Sequence, residues 1–123
     1  MRLLTALALI IAAPSLLSVT FAWAASDCST SRTLADWGEN PTDYIDLKSG
    51  GSCLFHIRIR GTVTASKISE KPAHGKLKRH GISSFEYTAK TNFKGSDGFV
   101  IKATGQGPTA SGTSVITVHA TIK

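Results

Sequence analysis

The chain has 123 residues, a formal charge of +6 and two cysteines. Its first 24 residues read as an export leader, which leaves 99 (123 minus 24), room for one hydrophobic core and not for two. The two cysteines lack the close spacing of a zinc knuckle, which argues against a structural metal site.

Met1 and Arg2 form a short positive start, an apolar run covers 3–13, and a second apolar stretch follows Pro14 over 16–25. Ala22-Trp23-Ala24 puts small residues at the −3 and −1 positions of a signal-peptidase site, so cleavage before Ala25 is expected. The uncharged run 3–25 is also long enough to stay as a membrane anchor. Pro14 and the Ala-x-Ala site favour cleavage. Asp27 before Cys28 argues against a lipoprotein site, and the lone Arg2 against a twin-arginine signal. Beyond Ala25 no apolar run is long enough to cross a membrane. The mature chain is therefore expected to be secreted or periplasmic, with no stable membrane insertion. Export into an oxidising compartment makes Cys28 and Cys53 the natural partners of one disulfide, with two free thiols as the alternative. Closing that loop is worth roughly 3–4 kcal/mol in the chain-entropy model.

Residues 25–52 are rich in Ser, Asp, Gly and Pro and show no sustained helical period. They predict an irregular segment with a turn at Asn40-Pro41 and one short strand at Tyr44-Ile45-Asp46-Leu47. Trp37, Tyr44 and Leu47 are expected to cap the core, since a small domain needs its aromatic area inside. A Trp in a loop also suits a stacking surface, and that alternative stays open.

Residues 53–123 hold the main strands. Over 53–65, Cys53, Phe55, Ile57, Ile59, Val63 and Ala65 share one parity, while His56, Arg58, Arg60, Thr62 and Thr64 share the other. This period of two predicts one long strand with a bend at Gly61. Lys67-Ile68-Ser69 either continues it or begins another. Further strands are expected at Lys76-Leu77-Lys78, around Phe85 and Tyr87, through Phe99, Ile101 and Ala103, and through Ile116, Val118, Ala120 and Ile122. Turn-formers separate them at Pro72-Ala73-His74-Gly75, Arg79-His80-Gly81, 94–98 and 105–108, a spacing of about 8–12 residues. The pattern predicts an all-β chain of antiparallel strands in two sheets over one core.

The run Pro72-x-His74-Gly75, the strand ending Tyr87-Thr88, the turn Asn92-Phe93-Lys94-Gly95-Ser96-Asp97-Gly98-Phe99 and the Val/Ile/Thr strand over 112–118 resemble the bacterial cadherin-like, Ig-like repeat. The likeness covers about Pro72 to Thr121. It implies a Greek-key sandwich of about seven strands, with Pro72, His74, Gly75, Tyr87, Phe93, Gly95, Asp97 and Phe99 as its structural motif. It also implies a spacer or ligand-binding unit of the kind found in surface proteins and adhesins. The chain departs from the family at Ala89 and Gly98, in its cysteine pair, and in being a single copy with its own leader. Calcium does not carry over: Asp97 stands among Lys94, Lys102 and glycines, and no Asp-x-Asp run exists.

Charge is unevenly spread. Residues 25–53 hold five acids and two bases, net −3, whereas 54–123 hold three acids and eleven bases, net +8. The acidic segment either lies against the basic body or leaves it facing an anionic partner. His56, Arg58 and Arg60 with Lys76, Lys78 and Arg79 are the candidate basic binding face; an ordinary solvated face is the competing reading. His74 suits a tight turn, and Asp97 suits hydrogen bonds to nearby backbone amides, better than either suits catalysis. Tyr87 and Phe93 read as core aromatics, the Tyr hydroxyl reaching a turn as in a tyrosine corner. The four histidines, His56, His74, His80 and His119, lack metal-ligand spacing, and no nucleophile elbow is present. Aromatic and basic residues do not interleave as in readers of single-stranded nucleic acid. The expectation is a non-catalytic module without metal or cofactor that docks an anionic glycan or an envelope protein. An assembly or adhesion role through protein contact is the alternative, with protease inhibition or hydrolysis behind it.

Overall fold

The computed structural model describes residues 28–123; the expected leader, 1–24, lies outside the described residues. The described residues form eight strands and no helix: β1 (Cys28–Ser31), β2 (Thr42–Leu47), β3 (Ser52–His56), β4 (Thr62–Glu70), β5 (Gly75–Arg79), β6 (Ser84–Ala89), β7 (Gly95–Gln106) and β8 (Ser111–Ile122). They make a five-stranded sheet in the order β1-β2-β8-β7-β4 and a three-stranded sheet in the order β3-β6-β5. All pairs are antiparallel except β2 with β8, which run parallel.

Alternation does most of the folding. β2 buries Asp43, Ile45 and Leu47; β6 buries Phe85, Tyr87 and Ala89; β8 buries Ser114, Ile116, Val118, Ala120 and Ile122. Phe99 of the larger sheet meets Phe55 edge-on at 6.1 Å and stacks on Tyr87 at 5.6 Å, both from the smaller sheet. Each such buried ring contributes roughly 1.5–3 kcal/mol. Those rings make the core common to both sheets, so the architecture is sandwich-like.

The Cys28–Cys53 disulfide is formed, with the Cα atoms 5.5 Å apart, and ties β1 of one sheet to β3 of the other. The N-terminal part carries two strands rather than one, and β1 with β2 extends the larger sheet. Trp37 and Leu47 are buried as core caps, but Tyr44 is 55% exposed on the outer face of the larger sheet.

The expected long strand over 53–65 is two strands in different sheets. β3 runs out of partner at His56 opposite Ser84, where β6 begins. The chain then crosses the core edge: the Ile57 amide bonds the Ser83 carbonyl, and Ile59 bridges Ala35. At Gly61 φ is +117°, and a Cβ there would collide with the Gln106 carbonyl oxygen. Glycine is what lets β4 start against β7 at that point. Parity survives the crossing as far as Val63, since Ile57, Ile59 and Val63 all pack on the core, and this is why the run reads as a single strand. The bulge between Val63 and Ala65 then turns Ala65 outward, against the expected inward face. Lys67-Ile68-Ser69 continues β4, which bulges twice along its free edge.

Candidate functional site

Every strand reverses the chain, so every second turn falls at the same end. The turns 48–51, 71–74 and 90–94 meet there, together with residue 123. Hydrogen bonds join them: the Ser49 amide to the Lys123 carbonyl, the Ala89 amide to the Gly51 carbonyl, the Lys90 amide to the His74 carbonyl and the Ser49 hydroxyl to the Lys90 carbonyl. Lys48, Lys71, Lys90, Lys94 and Lys123 project from this end, all exposed, with Lys76 just inside β5. Among the described residues the ion pairs are Arg60–Asp36 at 3.0 Å and His80–Glu86 at 3.6 Å, and neither involves a lysine.

Asp97 holds the turn 71–74 in place. Its Oδ1 accepts from the amides of Ala73 at 3.0 Å and Gly98 at 2.8 Å; its Oδ2 accepts from the His74 amide at 3.0 Å and the Tyr87 hydroxyl at 2.7 Å. Burial alone would push this carboxyl up. The four hydrogen bonds outweigh it and hold Asp97 below the usual carboxylate range. Burial, reinforced by the neighbouring carboxylate, pushes the Tyr87 phenol up. Four donors saturate a carboxylate, so Asp97 has no lone pair to spare for a metal or a proton in flight. Its bond from the Gly98 amide is of the neighbouring-backbone kind that the sequence suggests. The reach across to 73 and 74 goes beyond it, and the Tyr hydroxyl meets a side chain rather than turn backbone.

Gly75 is required by proximity and not by a left-handed turn. A Cβ there would stand 2.7 Å from the Tyr87 hydroxyl and 2.6 Å from the Thr88 carbonyl oxygen. With the turn fixed, the His74 ring lies flat on Phe93, centroids 4.0 Å apart and planes within 8°. Gly95, at φ +139°, lets the chain pass beneath the Phe93 ring. Pro72, half-buried, leads into this turn, and Phe99 anchors its far side in the core.

Two depressions flank His74. One, of about 410 Å³, is lined by His74, Gly75, Lys76, Thr88, Lys90 and Thr91, with Ala73 and Ala89. The other, of about 310 Å³, lies over His74, Lys90, Thr91, Asn92 and Phe93. Neither lining contains a carboxylate. The site thus offers two ammonium groups, two threonine hydroxyls and a ring pair, a set suited to holding an anion beside a flat ring.

The basic face expected from sequence is broken up. His56, Lys76 and Lys78 do share the outer face of the smaller sheet, but β6 separates β3 from β5. His56 bonds the Ser84 hydroxyl through Nδ1 at 3.0 Å. Arg79 has the opposite parity and donates to the Gly81 carbonyl at 3.2 Å. Arg58 and Arg60 sit at the other end of the sandwich, where Asp36 engages Arg60. Of the six, only Lys76 reaches the lysine end. Reading the turns by their alternation, and not by proximity along the sequence, finds the lysines: 48–51, 71–74 and 90–94 each carry at least one.

No helix among the described residues is long and apolar enough to cross a membrane, and no three of their His, Cys, Asp and Glu side chains gather as a metal would need. No protein-family model matches the chain, and neither does any curated protein.

Proposed function

We propose that the protein is a secreted, non-catalytic module of the Ig-like, cadherin-like type that binds an anionic polysaccharide at its lysine end. The observation that carries this reading is the depression beside the His74–Phe93 stack, walled by Lys76 and Lys90 without a carboxylate. Acidic sugars supply what that lining lacks: negative charge for the ammonium groups and hydroxyls for Thr88 and Thr91. The leader-like start and the disulfide support an exported protein. The chain changes sheet between β2 and β3, β3 and β4, β4 and β5, and β6 and β7, and this supports a Greek-key sandwich.

Edge-to-edge assembly has less support. The free edge of β4 is bulged, and β5 carries Lys76, Lys78 and Arg79, both being devices that deter strand pairing.

Retention on immobilised polygalacturonate, with dextran as the neutral control, tests the proposal. The protein should bind the acidic resin at about 20 mM salt and elute as screening shortens the reach of its charges. Equal passage through both resins at low salt would remove the proposal.

A further inference from the structure

We infer that the outer face of the larger sheet carries a second subsite, a slot for one uncharged pyranose ring of the same polysaccharide. This rests on the lysine-end reading and narrows it: the polymer should alternate acidic with neutral sugars.

The slot comes from three residues in one row. Tyr44, His119 and Gly98 lie directly opposite one another on β2, β8 and β7. The Tyr44 and His119 rings stack at 5.4 Å with planes 27° apart. Tyr44 therefore covers one face of the imidazole and props it upright. The other face looks over Gly98, where there is no side chain. A depression of about 340 Å³ opens at that point, lined by Glu70, Lys71, Gly98, Val100, Thr117 and His119 among others. Its floor is backbone, one wall is a braced aromatic ring, and the other wall is the turn 71–74.

That turn is the link to the first site. Ala73 lines both this slot and the depression beside His74, so the turn forms a ridge with a hollow on each side. Asp97 fixes the ridge through the Ala73 and His74 amides. A chain laid across it meets both hollows, and their chemistry differs. The lysine side has cations and no carboxylate. The His119 side has the Glu70 and Asp97 carboxylates against the one ammonium of Lys71, so an acidic sugar is disfavoured there. A neutral ring fits better: its C–H face lies on the imidazole, while its hydroxyls reach the Glu70 carboxylate and the Thr117 hydroxyl.

Binding of two labelled hexasaccharides to the whole exported chain tests this. One alternates glucuronate with N-acetylglucosamine; the other is all galacturonate. Gly98→Thr places a side chain on the slot floor, where its Cβ meets only the Val118 carbonyl oxygen at 3.1 Å. His119→Ala removes the stacking wall without adding volume, so the two variants check each other. Both should weaken the alternating hexamer by about fivefold or more and leave the galacturonate hexamer unchanged. Lys76→Ala/Lys90→Ala should weaken both. If the lysine variant loses both sugars while the slot variants bind like the parent, the first site stands and the slot is overturned. If the parent chain binds neither hexamer, both ideas fall.

Discussion

The two ends of the sandwich use charge in opposite ways. At one end Asp36 pairs with Arg60, the Asp36 amide bonds Glu39, and the charge of Arg32 acts on Asp43. At the other, Lys48, Lys71, Lys90, Lys94 and Lys123 share no ion pair with any described residue. The acidic N-terminal segment pairs with Arg60 through Asp36, and none of its described acids pairs with a lysine. One end spends a charge pair on the fold, whereas the other presents its lysines to solvent on a scaffold held by backbone hydrogen bonds and the half-buried Asp97 carboxylate.

That contrast can be broken at several points. The lysine end is stapled by Cys28–Cys53, so Cys28→Ser/Cys53→Ser should lower unfolding free energy by about 3–4 kcal/mol in chemical denaturation. Next is Asp97→Ala, which strands four donors and should cost about 2–3 kcal/mol. Asp97 has a lowered folded pKa, so its contribution is full above the unfolded value of about 3.9 and is lost as pH falls through the folded one. Denaturation midpoints from pH 7 down to about 2 should show an acid limb that Asp97→Asn flattens.

Lys76→Ala/Lys90→Ala should leave stability unchanged yet weaken retention on polygalacturonate by about tenfold, or about 1.4 kcal/mol. At the opposite end Arg60→Ala should cost at most about 1 kcal/mol, because that pair is half-exposed, and should not alter retention. The smallest effect is expected at Asp43. Burial raises its pKa against the hydrogen bond from the Thr33 amide and the charge of Arg32. Its ionisation therefore opposes folding, and stability is gained as pH falls through the raised value. Asp43→Asn should stabilise the protein at pH 7 by about 0.5 kcal/mol in thermal unfolding.

Much of this is legible in the sequence because strands announce themselves by parity. Phe85 with Tyr87, Phe99 with Ile101, and Ile116 through Ile122 all face inward as their spacing requires. At Asp97 only the bond to the Gly98 amide is local; the bonds to the Ala73 and His74 amides span more than 20 residues, and no local pattern announces them. Three other things were not legible. The change of sheet between His56 and Thr62 keeps parity, so nothing in the alternation marks it. β1 is four residues, CSTS, exposed over most of its length and held by pairing and a disulfide instead of an apolar pattern. The candidate site is assembled from turns 20 to 40 residues apart, and a cluster such as 76–79 that is contiguous in sequence alternates between faces once it becomes a strand.

The most direct test reverses charge at each end in turn: Lys76→Glu/Lys90→Glu against Arg58→Glu/Arg60→Glu, both compared with the parent chain for salt-dependent retention on polygalacturonate. Net charge falls equally in the two variants. Loss of retention in the lysine variant alone is the predicted result. Equal losses in both would mean that overall charge, and not one end of the sandwich, attracts the polymer.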